Sequence, residues 1–327
     1  MCSRYSGDWW SCLRQSPSRT VKGPDDVIEA SNLCKEYGGK RVVSDVSLVA
    51  NAGEVTGFVG PNGAGKSTVL RIIAGITAPS SGSVRVGGAT HQLATHPAAN
   101  LGVFLSAEWI PGSMTAASFL SYVCETQGLR RQRVPELLDL VGLSDVAHRK
   151  VKNFSLGTRQ RLGIAAAFAG NPRNVVLDEP INGLDPDAIQ WIRRLLRQAA
   201  DDGKAVLLSS HHMGEPAKVA DHIVLIDHGV VARQGPLASF VAPTESNVYI
   251  ESGTLADVAA LLRSAGYAVE PHRNGLLVQN AEPAETGRAV YGAGYGLTHL
   301  SLVTRSLEET YFDTVSPRDI FSEGNTR

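Results

Sequence analysis

Gly60-Pro61-Asn62-Gly63-Ala64-Gly65-Lys66-Ser67 is the stretch of sequence that decides the fold. It matches in full the Gly-x-x-x-x-Gly-Lys-Ser/Thr pattern of a phosphate-binding loop. The largely apolar stretch 54–59 before it predicts a buried strand, and the apolar spacing of residues 69–73 after it predicts a helix that stops at Gly75. Backbone N–H groups of a glycine-rich loop can surround phosphate oxygens, and a helix N-terminus attracts anions. This strand, loop and helix therefore predict a nucleotide site, whereas a chance glycine-rich turn would lack one neighbour or the other.

The side chains of this loop have predicted roles toward ATP. Lys66 is expected to reach the β- and γ-phosphates, and the Ser67 hydroxyl is expected to ligate Mg²⁺. The predicted ATP-binding residues here are Gly60, Pro61, Asn62, Gly63, Ala64, Gly65, Lys66, Ser67 and Thr68.

A second apolar strand, predicted at 174–178, leads into two adjacent carboxylates. Asp178 is expected to hold Mg²⁺, largely through water. Glu179 points elsewhere and is expected to orient or deprotonate the attacking water. Alone, such an acidic pair would be interpreted as a surface feature, but after a complete phosphate-binding loop the catalytic interpretation is favoured.

Composition argues against a nucleic-acid-binding protein. The 327 residues include 31 basic and 32 acidic side chains, for a net charge of −1, so the basic excess typical of nucleic-acid binders is missing. The short run Arg130-Arg131-Gln132-Arg133 is more typical of a solvated helix face. No nucleic-acid partner is therefore expected.

The cysteines and the apolar runs bear on the compartment. Cys2, Cys12, Cys34 and Cys124 have neither metal-motif spacing nor a dense disulfide pattern, which indicates reduced thiols. No run reaches the roughly 18 apolar residues that a membrane helix needs, and the N-terminus has no apolar core of a secretory signal. We expect a soluble chain that meets a membrane only through a partner.

The order of predicted elements indicates a large α/β domain and a smaller second one. Strands alternating with helices favour a mostly parallel sheet covered on both faces, with a helical insert at about 113–171. Two early strands, at 27–30 and 42–50, are joined through a turn at Gly38-Gly39. After a linker at 243–246, the predicted order of elements is βαββαβ, as in ferredoxin-like domains. The predicted strands are 248–251, 267–270, 276–279 and 297–303, the predicted helices are 255–265 and 284–292, and a turn is predicted at Asn274-Gly275.

Phe154-Ser155-Leu156-Gly157-Thr158-Arg159-Gln160-Arg161 resembles the signature motif of ABC ATPases, in the variant form of the bacitracin- and daunorubicin-resistance type. The resemblance implies that the Ser155 hydroxyl and the Gly157 N–H bind the γ-phosphate of an ATP held by the opposite subunit. Leu156 and Thr158 depart from the family's commonest Gly and Gln, and the backbone role should survive both changes. Without the other motifs, Ser155 would be interpreted simply as a helix cap.

Other elements of the family follow in order. Tyr37 stands where the family's aromatic residue stacks on adenine, although a strand aromatic can also belong to a core. Gly183-Leu184-Asp185-Pro186 resembles the D-loop, which couples the two sites of a dimer. Ser209-Ser210-His211 resembles the switch region, whose His contacts the γ-phosphate; His212 is the alternative if the register differs by one residue.

One family element is off pattern. The glutamine that helps to ligate Mg²⁺ and signals to the membrane partner is replaced by Ser106. A serine still offers an oxygen ligand, but a shorter one, and Glu108 is a candidate to compensate.

The resemblance covers about 27–240 and sets the domain plan. It implies a P-loop ABC ATPase domain at 27–242, with an antiparallel β subdomain, followed by a ferredoxin-like accessory domain at 243–315 and a tail at 316–327. For residues 1–26 we expect a disordered leader, with an anchor through Trp9-Trp10 as the alternative. The accessory domain is expected to support structure or dimerisation rather than to sense a small molecule, because a fold alone licenses no function.

The resemblance further implies an ATP- and Mg²⁺-dependent ATPase subunit of a membrane transporter, with drug export favoured. The implied partners are a separate transmembrane permease and a second ATPase subunit, identical or not, on the inner face of the cell membrane. A soluble mechanical ATPase of translation or DNA maintenance is the alternative, but such chains usually have tandem nucleotide domains or a long coiled coil. A nucleotide-gated regulator that hydrolyses ATP poorly is a weaker possibility, supported only by Ser106.

Overall fold

The computed structural model describes residues 27–88, 97–241, 247–303 and 307–315. The chain divides into two compact units, Met1–Leu237 and Ala238–Arg327. This division lies slightly before the boundary expected at 242/243. The expected leader at 1–26, the linker at 243–246 and the tail at 316–327 lie outside the described residues.

The first unit contains the predicted alternation of strands and helices. In chain order its described elements are β1 (Ile28–Tyr37), β2 (Lys40–Ala50), β3 (Val55–Val59), α1 (Lys66–Ile73), β4 (Ser81–Val86), α2 (Pro97–Asn100), β5 (Leu101–Phe104), α3 (Ala116–Thr126), α4 (Arg133–Leu140), α5 (Leu156–Ala167), β6 (Asn174–Leu177), α6 (Pro186–Asp201), β7 (Ala205–Ser210), β8 (His222–Asp227) and β9 (Val230–Pro236).

The main sheet has six strands in the order β5-β6-β7-β3-β8-β9. The first five are parallel, and β9 pairs antiparallel with β8. Every residue of β3, β6 and β7 is buried, because helices cover a parallel sheet on both faces. The carboxyl ends of β3, β6 and β7 therefore meet at one edge, which is where ligands bind in sheets of this kind.

A smaller antiparallel sheet, in the order β2-β1-β4, packs with α1 into one hydrophobic core. The turn at Gly38-Gly39 is confirmed, with φ of +54° and +80°. Strand β1 is longer than the predicted 27–30. Its pairing with β2 shifts register after Ala30 and again after Leu33, so the alternation of buried and exposed residues is interrupted.

The helical insert contains α3, α4 and α5, all within the predicted range of about 113–171. Thr115 caps α3 by accepting a hydrogen bond from the Ser118 N–H. The Trp191 indole of α6 donates to the Leu140 carbonyl at the end of α4, a distance of 3.1 Å, and so ties the insert to the core. Among the described helices, none combines the length and the apolar character needed to cross a membrane.

The second unit has the predicted ferredoxin-like order. After α7 (Leu237–Val241) come β10 (Asn247–Glu251), α8 (Leu255–Ser264), β11 (Val269–His272), β12 (Gly275–Val278), α9 (Pro283–Gly292), β13 (His299–Val303) and α10 (Leu307–Thr314).

Its four strands form an antiparallel sheet in the order β11-β12-β10-β13, and they share a core with α8 and α9. The predicted turn at Asn274-Gly275 is wrong by one residue: His272 pairs with Gly275, so Arg273-Asn274 forms the turn. A Cβ on Gly275 would lie 2.1 Å from the Ile250 carbonyl oxygen. A side chain at position 275 would therefore collide with β10. The glycine is needed for the close approach of β12 to β10 and not for the turn.

Candidate active site

The glycine-rich loop lies between the end of β3 and the start of α1, as the motif requires. Gly65 is the N-cap of α1 and has a φ of +99°, a backbone conformation that favours glycine. A Cβ on Gly60 would lie 2.1 Å from the Ile226 carbonyl oxygen, so a side chain there would displace the loop from β8. Two backbone hydrogen bonds hold the loop at the sheet edge, from the Gly60 N–H to the Ser210 carbonyl and from the Gly229 N–H to the Ala64 carbonyl.

Lys66 is the charged residue of the loop and is buried, with 6% of its surface exposed. Its Nζ donates to the carbonyls of Gly60 at 2.7 Å and Pro61 at 3.0 Å, and lies 3.7 Å from Oε1 of Glu179. Burial lowers the pKa of Lys66, and the carboxylates of Glu179 and Asp178 oppose this shift. The ammonium therefore lies in a poorly solvated place where its attraction to an anion is strong.

The two carboxylates lie at the carboxyl end of β6, at the same edge as the loop. Asp178 is 7% exposed, and Ser209 Oγ donates to its Oδ1 at 2.5 Å. The same Ser209 Oγ accepts the N–H of Glu179 at 2.9 Å. Ser209 thus fixes both acidic residues. The sequence alone does not predict this role of Ser209, although a polar residue near the end of an otherwise apolar buried strand is a signal for it.

Glu179 projects back toward the loop from a left-handed backbone conformation, with a φ of +48°. Its Oε2 lies 2.8 Å from Nδ1 of His211, and its Oε1 is the oxygen near Lys66. Such a φ is uncommon for a residue other than glycine and is often found at functional sites. The carboxylate is consequently held from two sides.

The structure brings His211, rather than its alternative His212, to Glu179. The His212 N–H donates to Ser210 Oγ at 3.0 Å, and Ser210 Oγ donates to the His212 carbonyl at 2.8 Å. The side chain of His212 is exposed, and its ring lies 3.9 Å from the His211 ring. In the register Ser209-Ser210-His211, the first of the two histidines therefore lies beside Glu179.

Ser155 and Gly157 lie at the N-terminus of α5, in the helical insert. Ser155 is the N-cap: its Oγ accepts the Thr158 N–H at 3.2 Å and lies 2.8 Å from Thr158 Oγ1. The cap interpretation is therefore correct for the isolated chain, and the exposed Ser155 is also free to face a second subunit. Leu156 is 45% exposed.

Asp185 lies at the start of α6 and caps that helix. Its Oδ1 accepts the Ala188 N–H at 2.7 Å and lies 3.9 Å from Arg161 Nη2. The Asp185 side chain is 68% exposed. The predicted D-loop is thus a surface turn next to the N-terminal part of α5.

Tyr37 ends β1 and is 46% exposed, which excludes the core interpretation of its ring. Lys35 Nζ lies 4.9 Å from the ring centroid and donates to the Ala78 carbonyl at 2.7 Å. An exposed aromatic ring of this kind can stack on a planar base.

Ser106 follows β5 by two residues, at the same sheet edge as Asp178, because Phe104 pairs with Leu177. Its Oγ accepts the Glu108 N–H at 3.1 Å and caps a short 3₁₀ turn, Ala107–Trp109. Glu108 itself is exposed.

The oxygen groups at this edge suit Mg²⁺. No group of three or more His, Cys, Asp or Glu in the described ranges is placed to hold a metal ion. Magnesium, however, is usually bound through one or two carboxylates, with substrate phosphates and water completing the shell. The Asp178 carboxylate and the hydroxyls of Ser67 and Ser106 are hard oxygen donors of the type it prefers.

Comparison with known proteins gives concordant results. The family model described as "ABC transporter" matches residues 43–182. The chain is 33% identical over 306 residues to the daunorubicin/doxorubicin resistance ATP-binding protein DrrA of Streptomyces peucetius, covering 89% of this chain and 92% of that protein. It is 33% identical over 205 residues to the lantibiotic transport ATP-binding protein SrtF of Streptococcus pyogenes, covering 63% and 89%.

Solved structures also resemble this chain over part of its length. A dimeric bacterial ABC transporter cassette has a TM-score of 0.59 and 26% identity, covering 64% of this chain and 98% of that one. A dimeric post-hydrolysis state of an ATP-binding cassette, bound to ADP and Pi, has a TM-score of 0.59 and 25% identity, with the same coverage.

Proposed function

Because this chain belongs to the family of ABC transporter ATP-binding proteins, we propose that its ATPase activity powers the export of a drug, an antibiotic or a similar compound through a separate transmembrane subunit. The chain is the ATP-binding and hydrolysing subunit of an ABC transporter. The proposed compound class rests on DrrA, whose length the match nearly spans, and on the lantibiotic transport protein. These relatives favour a transporter over a soluble mechanical ATPase.

The observation that best supports ATP hydrolysis by this chain is the position of Glu179, between His211 Nδ1 and Lys66 Nζ and beside the glycine-rich loop. In this arrangement Lys66 stabilises the charge of the β- and γ-phosphates, and Glu179 orients and deprotonates the attacking water. His211 holds one oxygen of Glu179, so the other oxygen is directed toward the loop. Ser209 keeps both acidic residues in place through its single hydroxyl.

Asp178 and Ser67 would hold Mg²⁺, with Ser106 as a third oxygen ligand. When bound, Mg²⁺ neutralises the charge that develops on the phosphate oxygens. Ser209 leaves the second carboxylate oxygen of Asp178 available for this purpose, since its hydroxyl bonds Oδ1. Tyr37 offers its exposed ring to the adenine.

The active form is a nucleotide sandwich dimer, with Ser155 and Gly157 facing the γ-phosphate bound by the other subunit. Support comes from their place at an exposed helix N-terminus, which favours anions, and from the dimeric cassettes that the first unit resembles. The second ATPase subunit is identical or different. The assembly lies on the inner face of the cell membrane, against the transmembrane permease.

A transport experiment tests the proposal. In a strain that lacks this gene, accumulation of a panel of fluorescent or radiolabelled antibiotics is compared after return of the wild-type gene or of Lys66→Ala. We expect the wild type, and not Lys66→Ala, to lower accumulation of at least one compound. Equal accumulation of every compound in the three strains, together with no co-purifying membrane protein, would contradict drug export.

A further inference from the structure

Leu156, where the family most often has glycine, lies directly against the D-loop of its own chain. A Cβ placed on Gly183 would lie 2.7 Å from Cδ2 and 3.4 Å from Cγ of Leu156. The Leu156 side chain therefore fills the space where a side chain at position 183 would have to lie. Gly183 also has a φ of +73°, which L side chains rarely adopt.

Two further contacts join α5 to the D-loop next to this one. A Cβ on Gly157 would lie 3.3 Å from Leu184 Cδ2 and 3.4 Å from the Gly183 carbonyl oxygen, so the two backbones approach closely. Farther along α5, the Arg161 guanidinium lies 3.9 Å from Asp185 Oδ1 and 5.6 Å from the ring centroid of Trp191. Three successive positions of the D-loop thus contact the first turns of α5.

From this geometry we propose that Leu156 is a positioning residue, which holds the D-loop against the signature helix so that both reach a second subunit as one surface. The proposal rests on the function given above. A glycine at position 156 would remove the apolar contact to Gly183 and leave only the contacts at Gly157 and Arg161. The D-loop would then be free to move relative to Ser155 and Gly157.

The first test is hydrogen exchange of the full chain without nucleotide. In Leu156→Gly we expect faster exchange in peptides that cover residues 181–185, and unchanged exchange in peptides that cover the loop at 60–67. Leu156→Met, which keeps an apolar side chain of similar volume, should restore most of the protection. Uniform acceleration, or no acceleration at 181–185, would overturn the proposal.

The second test is a double-mutant cycle on ATP turnover. We expect Leu156→Gly to lower kcat by roughly 10-fold, with ATP affinity of the monomer retained, because misplacement of interface groups costs rate. Gly183→Ala should also lower kcat, by collision with Leu156 and by backbone strain. The double variant should lose less than the product of the two single losses, since removal of Leu156 removes the collision. Additive losses would show that the pair does not interact.

The first test does not depend on the proposed function, whereas the second requires ATP turnover. If the wild-type chain shows no turnover that Lys66→Ala removes, the assigned site is wrong, while hydrogen exchange still decides on the contact. If Leu156→Gly is unfolded at the assay temperature, Leu156→Ala takes its place, because alanine is the residue that least disturbs a helix.

Discussion

At the scale of single residues, this site depends on one carboxylate that several groups position together. Glu179 has a left-handed backbone, its N–H is bound by Ser209, and its side chain lies between His211 and Lys66. A backbone in this region costs on the order of 1–3 kcal/mol and persists only where the surroundings determine it. Here those surroundings are the groups that the proposed hydrolysis requires.

Lys66→Ala is expected to remove most turnover without unfolding the chain. The ammonium contacts loop carbonyls and, in the proposed mechanism, stabilises the phosphates of ATP; the loss of one such electrostatic contact costs on the order of 10²–10³ in rate. Steady-state phosphate release measures the effect. Lys152→Ala, at an exposed lysine outside the site, is the matched control and should behave as the wild type. Turnover of Lys66→Ala equal to that of this control would refute the assignment of the loop.

Ser106→Gln is expected to keep or raise basal ATPase activity, because it restores the longer amide ligand of the family. The structure adds an opposing effect: Ser106 caps the 3₁₀ turn that follows, and loss of a cap costs about 1 kcal/mol. Ser106→Ala removes the cap and adds no ligand, so the two variants separate these effects. If Ser106→Gln has no turnover, the loop is built around the short side chain.

At the scale of elements, α5 connects the signature residues to the main sheet. It packs on β5 through Gly163, where a Cβ would lie 2.5 Å from Cε2 and 2.7 Å from Cδ2 of the buried Phe104. The absence of a side chain at this position lets the helix approach the strand that leads to Ser106. The insert is thereby packed directly against the strand that leads to the edge of the sheet.

Gly163→Ala should therefore destabilise the first unit despite the better helix propensity of alanine. Overpacking of a core costs about 1–3 kcal/mol, against a propensity gain of about 1 kcal/mol. Gly292→Ala makes the same change in α9, where a Cβ meets nothing within 4 Å, and should not destabilise. Scanning calorimetry compares the two variants. A thermal unfolding midpoint of Gly163→Ala at or above the wild-type value would show that the Phe104 side chain moves aside without loss of stability.

Local sequence patterns predict the strands, loop and helices that form the site. They do not predict the contacts between segments that are distant in sequence. The glycine-rich loop is read from adjacent residues, because strand, loop and helix follow one another directly. The extent of β1 was missed, since bulges place the buried Ala30 and Leu33 three residues apart instead of two or four. The double role of Ser209 and the contact of Leu156 with Gly183 join segments distant in sequence, and no periodicity reports them.

At the scale of the whole molecule, the chain holds two half-sites in different places. Lys66 and Glu179 lie at the carboxyl edge of the main sheet, whereas Ser155 lies at the exposed start of α5 in the helical insert. In the proposed dimer, each ATP lies between the first set of one subunit and the second set of the other. Hydrolysis removes the γ-phosphate that both sets share and releases the interface.

Glu179→Gln is expected to trap this dimer, because the amide preserves the shape of the side chain and cannot accept the proton from water. With saturating ATP and Mg²⁺, the variant should elute as a dimer in size-exclusion chromatography, and the wild type should return to monomer as ATP is consumed. A variant that stays monomeric would mean that the chain is not self-complementary and pairs with a different ATPase subunit.

Adding Ser155→Arg to Glu179→Gln should abolish the ATP-dependent dimer, because a long cationic side chain would occupy the place of the small hydroxyl at the exposed helix start. Nucleotide binding by the monomer should persist, since the glycine-rich loop is unchanged; a fluorescent ATP analogue measures it. A dimer that survives the added substitution would place the signature outside the interface.

The position of β3 between β7 and β8 has a consequence for synthesis of the chain. The loop is complete at Ser67, but the strands that flank β3 end at Ser210 and Asp227. At about 5–20 residues per second, a ribosome needs roughly 10–30 s to add the residues between β3 and the end of β8. During this interval the edges of β3 have no sheet partners, and the loop lacks its bonds to Ser210 and Gly229. A nascent chain thus acquires its nucleotide pocket late, after the signature and both acidic residues have already been made.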